Sequence, residues 1–315
     1  MNRCPDFRNA KILLFSLFLL VFISPIYSQG YVRNFFHNDT RREYIIHVPK
    51  IMNADSSFPV FFFLHGLGDN IRHLDTTLNF QSMADKYKWI IVLPQALDYE
   101  EEILGKRIIL GTMWNAGMKA SCFGFQRELN RDVDDVDFLM SLYETIHTYI
   151  PYANDSLFFA GFSMGGFMTH RIAVEYSDKI TAFASISGLL STTLKNKKPA
   201  SAVNFLQIHG TKDEIVSPKG KTSMLTGRQN IKIALSLNKT MSFWKQNNSS
   251  DELTIDSLQN RKDDSLSFVR HIYSSKKNNK KIEYLEVIGG NHTLYTDVDS
   301  FGINYFDFIY DFFVH

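Results

Sequence analysis

The hexapeptide Gly161-Phe162-Ser163-Met164-Gly165-Gly166 places a serine in a setting that is typical of a catalytic nucleophile. An apolar, strand-like run precedes it, and a segment with helical periodicity follows it. A Gly-x-Ser-x-Gly sequence between a strand and a helix forms a sharp turn that lifts the serine hydroxyl clear of the sheet. The following helix directs its N–H groups at the place where negative charge develops during acyl transfer. The sequence therefore predicts that Ser163 is a nucleophile.

A serine hydroxyl becomes reactive only when a base accepts its proton and a carboxylate orients that base. In folds built around this turn, the acid and then the histidine follow the serine along the chain. Asp213 and His292 come in that order, and each lies shortly after an apolar, strand-like run. We therefore predict a triad of Ser163, Asp213 and His292, with Glu214 as the alternative acid.

The chemistry also needs two backbone N–H donors for the oxyanion of the tetrahedral intermediate. The residue after the nucleophile, Met164, is the first candidate. The second should come from the loop after an early strand, where Leu64-His65-Gly66-Leu67-Gly68-Asp69 follows an apolar run. We predict that Leu67 supplies this N–H, the alternative being an ordinary glycine turn. His65 and His209 each precede a glycine at a strand end, which favours a role in tying loops together.

An alternation of strands and helices must position these residues. The predicted strands are Glu43–Val48, Pro59–Leu64, Trp89–Leu93, Leu157–Gly161, Ala182–Ser187, Val203–Ile208 and Ile282–Val287. The predicted helices are Leu78–Tyr87, Val133–Tyr149, Gly166–Tyr176, a stretch near Thr222–Trp244, and Ile303–Phe313. Continuous apolar strands that alternate with helices predict one α/β domain with a mostly parallel sheet and helices on both faces.

Two polar segments, Gln95–Arg131 and Lys245–Asn279, are too long for plain connections, so we expect them to form walls or insertions near the site. The connection from Gly188 to Ala202 is too short for a large lid domain. The acidic run Asp132–Asp137 lacks the glycine and the spacing of a Ca²⁺ loop, so it predicts a helix start and no metal site.

Composition and the amino terminus limit the class of protein. Lys and Arg number 34 against 33 Asp and Glu among 315 residues, so no strongly basic surface is expected for nucleic acid. A basic start, the apolar run Ile12–Ile23 and small residues before Gln29 predict a signal peptide over residues 1–28, with an uncleaved anchor as the alternative. We expect residues 29–315 to form a single catalytic domain that is secreted to the medium or periplasm. After cleavage no membrane span is predicted, and Cys122 is left as the lone cysteine.

Taken together, these segments resemble the secreted polyhydroxybutyrate depolymerase-like esterases, a group of α/β-hydrolases that includes feruloyl and acetylxylan esterases. The matching segments are Leu64-His65-Gly66, Trp114-Asn115-Ala116-Gly117, Asp134-Asp135-Val136-Asp137-Phe138-Leu139, Gly161–Gly166, Ser187-Gly188, His209-Gly210-Thr211-Lys212-Asp213 and Gly289–Thr293. The resemblance implies an α/β-hydrolase fold, the triad Ser163, Asp213 and His292, and hydrolysis of esters through an acyl-enzyme without a cofactor. Its substrates would include polymers, either plant polysaccharide esters or polyhydroxyalkanoate, and we expect a monomer.

The substrate side departs from the resemblance at two places. This chain has no cysteine pair around the insertion after Trp244, and Leu294 stands where a tryptophan is common in that group. We predict Leu294 and Trp114 as substrate-binding residues, Trp114 through stacking on an aromatic acid or sugar ring, with loop packing as its alternative. Two other functions stay open: a serine peptidase of the prolyl oligopeptidase type, and a non-catalytic carbohydrate-binding protein on a hydrolase fold.

Overall fold

The structure is a computed structural model that describes residues 31–53, 55–103, 106–122, 125–221, 233–258 and 265–315. The predicted signal peptide and residues 222–232 of the predicted fourth helix lie outside the described residues. The strands are β1 (Arg33–His37), β2 (Thr40–His47), β3 (Phe58–Leu64), β4 (Ile90–Pro94), β5 (Asp98–Ile103), β6 (Lys106–Thr112), β7 (Lys119–Cys122), β8 (Phe125–Glu128), β9 (Ala153–Phe162), β10 (Ala182–Ile186), β11 (Asn204–Gly210), β12 (Glu252–Leu258), β13 (Ser267–Ser274) and β14 (Ile282–Ile288). The helices are α1 (Ile71–Leu78), α2 (Phe80–Tyr87), α3 (Asp135–Tyr149), α4 (Met164–Glu175), α5 (Leu237–Asn248), α6 (Val298–Phe301) and α7 (Tyr305–Val314).

One ten-stranded sheet organises the described residues, in the order β1-β2-β4-β3-β9-β10-β11-β14-β13-β12. The six strands from β4 to β14 pair in parallel. The two strands at each edge pair antiparallel. The predicted α/β architecture with a mostly parallel sheet is therefore confirmed. Because parallel strands end at the same edge of the sheet, residues that follow β3, β9, β11 and β14 are brought together.

Strand β3 shows why the central strands are apolar without alternation. Phe61 and Phe63 face an apolar cluster that contains residues of α1, α2 and α7. Phe62 lies between them on the opposite face, in a cluster with residues of α3, α4 and α5. All three rings are fully buried, as expected for a strand covered by helices on both sides.

The helix predicted over Leu78–Tyr87 is wrong in its boundaries, because Asn79 divides two short helices. Asn79 has φ 51°, a left-handed conformation in which it ends α1. Its side chain also accepts a hydrogen bond from Ser82 N–H and so caps the start of α2. The sequence of α1 has helical spacing, with Ile71, Leu74 and Leu78 at i, i+3 and i+7, but the helix is short and rich in polar residues.

The two long polar segments contain strands that the sequence did not indicate. The first holds the antiparallel hairpins β5–β6 and β7–β8. The second segment holds β12 and β13, which extend the sheet beyond β14. Strands β10, β11 and β14 therefore lie between these two strands and β9, the strand that leads to Ser163. Strand β12 is exposed along nearly its whole length. Its short polar–apolar alternation, Glu252-Leu253-Thr254-Ile255-Asp256, lies within a polar segment and does not mark a buried face.

Within the described part of the chain, no helix is long and apolar enough to cross a membrane. The connection after β10 consists of turns and one isolated bridge between Ser191 and Ala234, without a helix between residues 188 and 202. The prediction that this connection holds no large lid domain is confirmed.

Candidate active site

Ser163 lies on the sharp turn between β9 and α4, in a backbone conformation that side chains rarely adopt, with φ 55° and ψ −115°. Close packing explains the two glycines that flank it. A Cβ atom on Gly161 would lie 2.4 Å from the carbonyl carbon of Gly165, and one on Gly165 would lie 2.0 Å from Leu64 O. Any side chain at either position would therefore push the turn away from β3 or from its own helix.

The structure brings the three predicted triad residues into one hydrogen-bonded chain. His292 Nε2 lies 2.9 Å from Ser163 Oγ, and His292 Nδ1 lies 2.8 Å from Asp213 Oδ2. A carboxylate only accepts hydrogen bonds, so Nδ1 carries the proton and Nε2 presents its lone pair to the serine hydroxyl. This is the tautomer that a general base requires.

Asp213 is held in place by its own loop. It is buried, and its Oδ1 accepts hydrogen bonds from Ile215 N–H at 3.0 Å and Val216 N–H at 2.8 Å. These bonds leave Oδ2 to face His292. Glu214, the alternative acid, is exposed, and the carboxylate in contact with the histidine belongs to Asp213.

The loops that carry the acid and the histidine pack directly against each other. Lys212 N–H donates to Gly290 O at 2.8 Å. A Cβ atom on Gly210 would lie 2.4 Å from the same oxygen, so only glycine allows this approach. His209 precedes that glycine, is buried, and its Nε2–H donates to Val216 O at 2.8 Å, which closes the Asp213 loop as predicted.

The loop after β3 lies beside the nucleophile, where an oxyanion hole is expected. A Cβ atom on Gly66 would lie 3.6 Å from Ser163 Cβ. Leu67 follows Gly66 on this loop, and Met164 is the first residue of α4. Leu67 therefore follows a residue that lies against Ser163, and Met164 is bonded directly to Ser163.

Trp114 does not face a substrate, and the predicted stacking contact is replaced by its alternative, loop packing. Its side chain is completely buried. The indole Nε1–H donates to His65 O at 3.0 Å, and the ring lies 5.1 Å from the His65 ring between centroids. The flanking polar sequence gave no sign of this burial. Leu294 is half-buried against the apolar cluster that contains α7, and its predicted contact with substrate stays a prediction.

We expect Trp114→Ala to destabilise the protein by about 3–5 kcal/mol, the usual cost of truncating a fully buried large aromatic side chain. The free energy of unfolding in urea measures this. Trp114→Phe should recover part of the packing while still losing the bond to His65 O. An unchanged unfolding midpoint in Trp114→Ala, with an increase in KM alone, would restore the substrate role.

One aromatic residue of the site was missed by the sequence interpretation. Phe162 is half-buried and packs against His292, with 4.9 Å between ring centroids. A Cβ atom on Gly66 would lie 3.7 Å from the same phenyl ring. Phe162 therefore lies between the base and the loop after β3. Its place inside the Gly-x-Ser-x-Gly motif is the only sequence signal that could have pointed to it.

The acidic run starts a helix, as predicted. Asp134 caps α3 by accepting from Asp137 N–H at 3.1 Å. Asp135 is fully buried, and its carboxylate pairs with Arg42 at 2.6 Å and accepts from Asn115 N–H at 2.6 Å. The run thus joins β2, α3 and the segment around Trp114. Among the described residues, no group of three or more His, Cys, Asp and Glu side chains is arranged to hold a metal ion.

Three buried histidines predict a loss of stability in mild acid. Burial lowers the pKa of His65 to about 4 and that of His170 to about 3, and it also lowers the pKa of His209. Below pH 6.5 the unfolded chain therefore binds more protons than the folded one, and the free energy of unfolding falls as the pH falls towards 4. Each such histidine removes up to about 1.4 kcal/mol per pH unit.

Urea unfolding at pH 7.5, 6.0 and 5.0 tests this. The His170→Gln variant removes one of the three groups, so its stability should fall less steeply with acid than that of the wild type. Parallel curves for the two proteins would contradict the assignment of His170 as a buried neutral group.

Two solved esterases share the fold of this chain. The structure superimposes on an acetyl xylan esterase from Aspergillus awamori with a TM-score of 0.55 at 14% identity, covering 90% of this chain and 99% of the other. A feruloyl esterase module from Clostridium thermocellum, solved with sinapinate, gives a TM-score of 0.51 at 13% identity, covering 90% and 86%. The fold is that of the α/β-hydrolases. Residues 51–242, more than half of the chain, match the phospholipase/carboxylesterase family, and the chain belongs to that family.

Sequence relatives cover only part of the chain. A bifunctional acetylxylan esterase/xylanase from Neocallimastix patriciarum is 22% identical over 184 residues, which is 57% of this chain and 23% of that protein. NocK from Nocardia uniformis subsp. tsuyamanensis is 25% identical over 158 residues, which is 50% of this chain and 40% of that protein. The matched region thus spans less than half the length of either relative.

Proposed function

We propose that this protein is a serine carboxylesterase. The single observation that carries the proposal is the hydrogen-bonded chain from Ser163 Oγ through His292 to Asp213, with distances of 2.9 and 2.8 Å. Membership of the phospholipase/carboxylesterase family supports the same reaction class. A serine peptidase would use the same triad, so the family match is what favours the esterase over it. A purely binding function would not need the triad.

In the proposed first half-reaction, Ser163 Oγ forms a bond to the ester carbonyl carbon while its proton passes to His292 Nε2. The carbonyl oxygen takes up the electron pair and is bound by the N–H groups of Leu67 and Met164. Asp213 stabilises the imidazolium through Nδ1–H. The bond from carbon to the alcohol oxygen then breaks, and the alcohol leaves with the proton from His292.

Water completes the cycle by the same route. His292 removes a proton from a water molecule, whose oxygen attacks the acyl carbon. The bond to Ser163 Oγ breaks, the serine recovers its proton from His292, and the carboxylic acid leaves. Each proton that His292 accepts is returned, so the residues present are sufficient for the reaction as written.

The finer proposal is an exported esterase that acts on acetyl or feruloyl esters of polysaccharides, with polyhydroxybutyrate-type esters as the alternative. It is supported by the sequence resemblance and by the shared fold with the acetyl xylan and feruloyl esterases. A panel of acetylated xylan, methyl ferulate, p-nitrophenyl acetate and hydroxybutyrate oligomers would rank the substrates by kcat/KM. Labelling with a fluorophosphonate probe, followed by peptide mapping, should place the adduct on Ser163. Failure to hydrolyse any ester, together with no adduct, would contradict the proposal.

The short connection between residues 188 and 202 supports an active site that accepts bulky substrates. A site that is not covered by a lid inserted in this connection does not need a lipid surface to open it. We therefore expect the hydrolysis of a short triglyceride to follow a smooth saturation curve as its concentration passes the solubility limit. A sharp rise in rate at that limit would show interfacial activation and would contradict an open site.

A further inference from the structure

The loop that offers the Leu67 N–H contains a histidine whose two ring nitrogens are both engaged. His65 is completely buried. Its Nδ1 lies 2.7 Å from Gly66 O, and its Nε2 lies 3.1 Å from Ala96 N and 3.0 Å from Gln95 Nε2. The proposed reaction does not use this imidazole directly.

The partners of His65 allow only one form of the ring. The Ala96 N–H can only donate. The Gln95 amide is oriented by Ile71 N–H, which donates to its Oε1 at 2.9 Å, so its NH₂ group faces the histidine. Nε2 must therefore be unprotonated, with its lone pair shared between the two donors, and Nδ1 carries the proton and donates to Gly66 O. The neutral ring, protonated at Nδ1, satisfies every contact.

This bond fixes the direction of the neighbouring N–H. Gly66 C=O and Leu67 N–H belong to the same planar, trans peptide unit, so they point in opposite directions. With the oxygen turned towards the buried ring, the N–H is turned away from it. Gly66 itself lies against Ser163, as the 3.6 Å approach of a Cβ atom at that position shows. Leu67 N–H therefore points away from His65, on a loop that lies against Ser163.

The following residues of the loop have their own partners. Gly68 N–H donates to Thr112 O at 2.9 Å, and Thr112 Oγ1 donates to Asp69 O at 2.7 Å. Asp69 N–H also reaches Gly66 O, at 3.4 Å. Among the described residues, no acceptor is found for Leu67 N–H, which leaves it available for an oxyanion.

We propose that His65 is a positioning residue for the oxyanion hole, in which its neutral imidazole sets the plane of the Gly66–Leu67 peptide and so aims the Leu67 N–H. This inference rests on the proposed esterase function. In this proposal the polar segment after β4 holds His65 in place. Gln95 and Ala96 donate to its ring, and Trp114 Nε1–H donates to His65 O at 3.0 Å.

Two substitutions at position 65 separate aiming from packing. His65→Leu fills much of the space but donates nothing to Gly66 O, whereas His65→Asn keeps an amide donor on a short side chain. We expect kcat on p-nitrophenyl acetate to fall by about 10²-fold in His65→Leu, the scale of losing one oxyanion donor, with KM within threefold of the wild type. His65→Asn should lose about tenfold, which is more than the threefold limit set for the control. If His65→Leu does not fold, the loss in His65→Asn relative to the control below carries the test.

His170 provides the matched control, because it is also completely buried and accepts a bond from Trp244 Nε1–H at 3.0 Å, away from the loop after β3. His170→Asn should be destabilised but keep its kcat within threefold. A second readout is the ratio of rates on an ester and on its thionoester, since sulfur is the weaker hydrogen-bond acceptor. That ratio should fall in the His65 variants and stay at the wild-type value in the His170 variant.

The outcomes distinguish this inference from the proposed function. Wild-type turnover and a fluorophosphonate adduct on Ser163 test the esterase independently of position 65. If both are found and the His65 variants keep kcat and the ester-to-thionoester ratio, the aiming role is refuted and the esterase stands. If the His170 variant loses as much kcat as the His65 variants, the effect is one of general destabilisation, which also overturns the inference.

Discussion

Replacement of Ser163 by alanine is expected to lower kcat for ester hydrolysis by at least 10³-fold while the protein folds normally. Ser163 Oγ is the one atom of the proposed triad that forms a covalent bond to the substrate. The members of such a triad act as a unit, so the loss of one removes most of the effect of all three. Alanine is compatible with the fold because the serine side chain makes a hydrogen bond to His292 but fills little volume. Initial rates on p-nitrophenyl acetate and the urea unfolding midpoint measure the two effects.

Ser185→Ala is the matched control. Ser185 is buried on β10 directly beside Gly161 of β9, and its hydroxyl donates to Gly166 O at 3.1 Å. Its loss should cost stability and leave kcat within a few-fold. A Ser163→Ala protein with a tenth of the wild-type activity would remove Ser163 from the role of nucleophile.

Replacement of Asp213 by asparagine is expected to lower kcat by about 10⁴-fold, because it reverses the hydrogen bond to the base. The asparagine carbonyl should keep the two bonds from Ile215 N–H and Val216 N–H. Its NH₂ group then faces His292 Nδ1 and donates to it. The imidazole must carry its proton on Nε2, where it cannot accept one from Ser163.

Glu214→Gln tests the specificity of this effect, because Glu214 is adjacent to Asp213 in the chain and also carries a carboxylate. Its exposed position predicts kcat within twofold of the wild type. A large loss of kcat in Glu214→Gln and a small one in Asp213→Asn would reverse the choice of acid.

The order and spacing of motifs were enough to predict the central strands and the residues of the triad. Apolar runs that end in glycine-containing loops mark the carboxyl edge of a parallel sheet, so Ser163, Asp213 and His292 could be placed together without coordinates. The two substrate-binding roles, predicted for Trp114 and Leu294, rested on single residues and were weaker predictions. Trp114 lies in a polar segment, and only the tertiary contact with His65 O explains why its ring is buried.

The elements outside the centre of the sheet could not be predicted from the sequence either. Strand β5 has the acidic sequence Asp98-Tyr99-Glu100-Glu101-Glu102, and β12 is exposed along nearly its whole length, so neither resembles a strand of the apolar core. The break at Asn79 depends on one residue adopting a left-handed conformation that the surrounding helical pattern conceals. In each case the structure is determined by a contact with a residue distant in the chain, or by one backbone angle, and the local sequence pattern does not show it.

The hydrogen-bonded chain of the site joins residues that are 129 and 79 positions apart. No fragment that ends before β14 can hold a base next to Ser163, since His292 follows that strand. During synthesis on the ribosome, the nucleophile therefore emerges long before the group that activates it. Such an esterase is inert towards its surroundings until the sheet is complete, and its hydrolytic activity is a direct assay of whether the whole fold has formed.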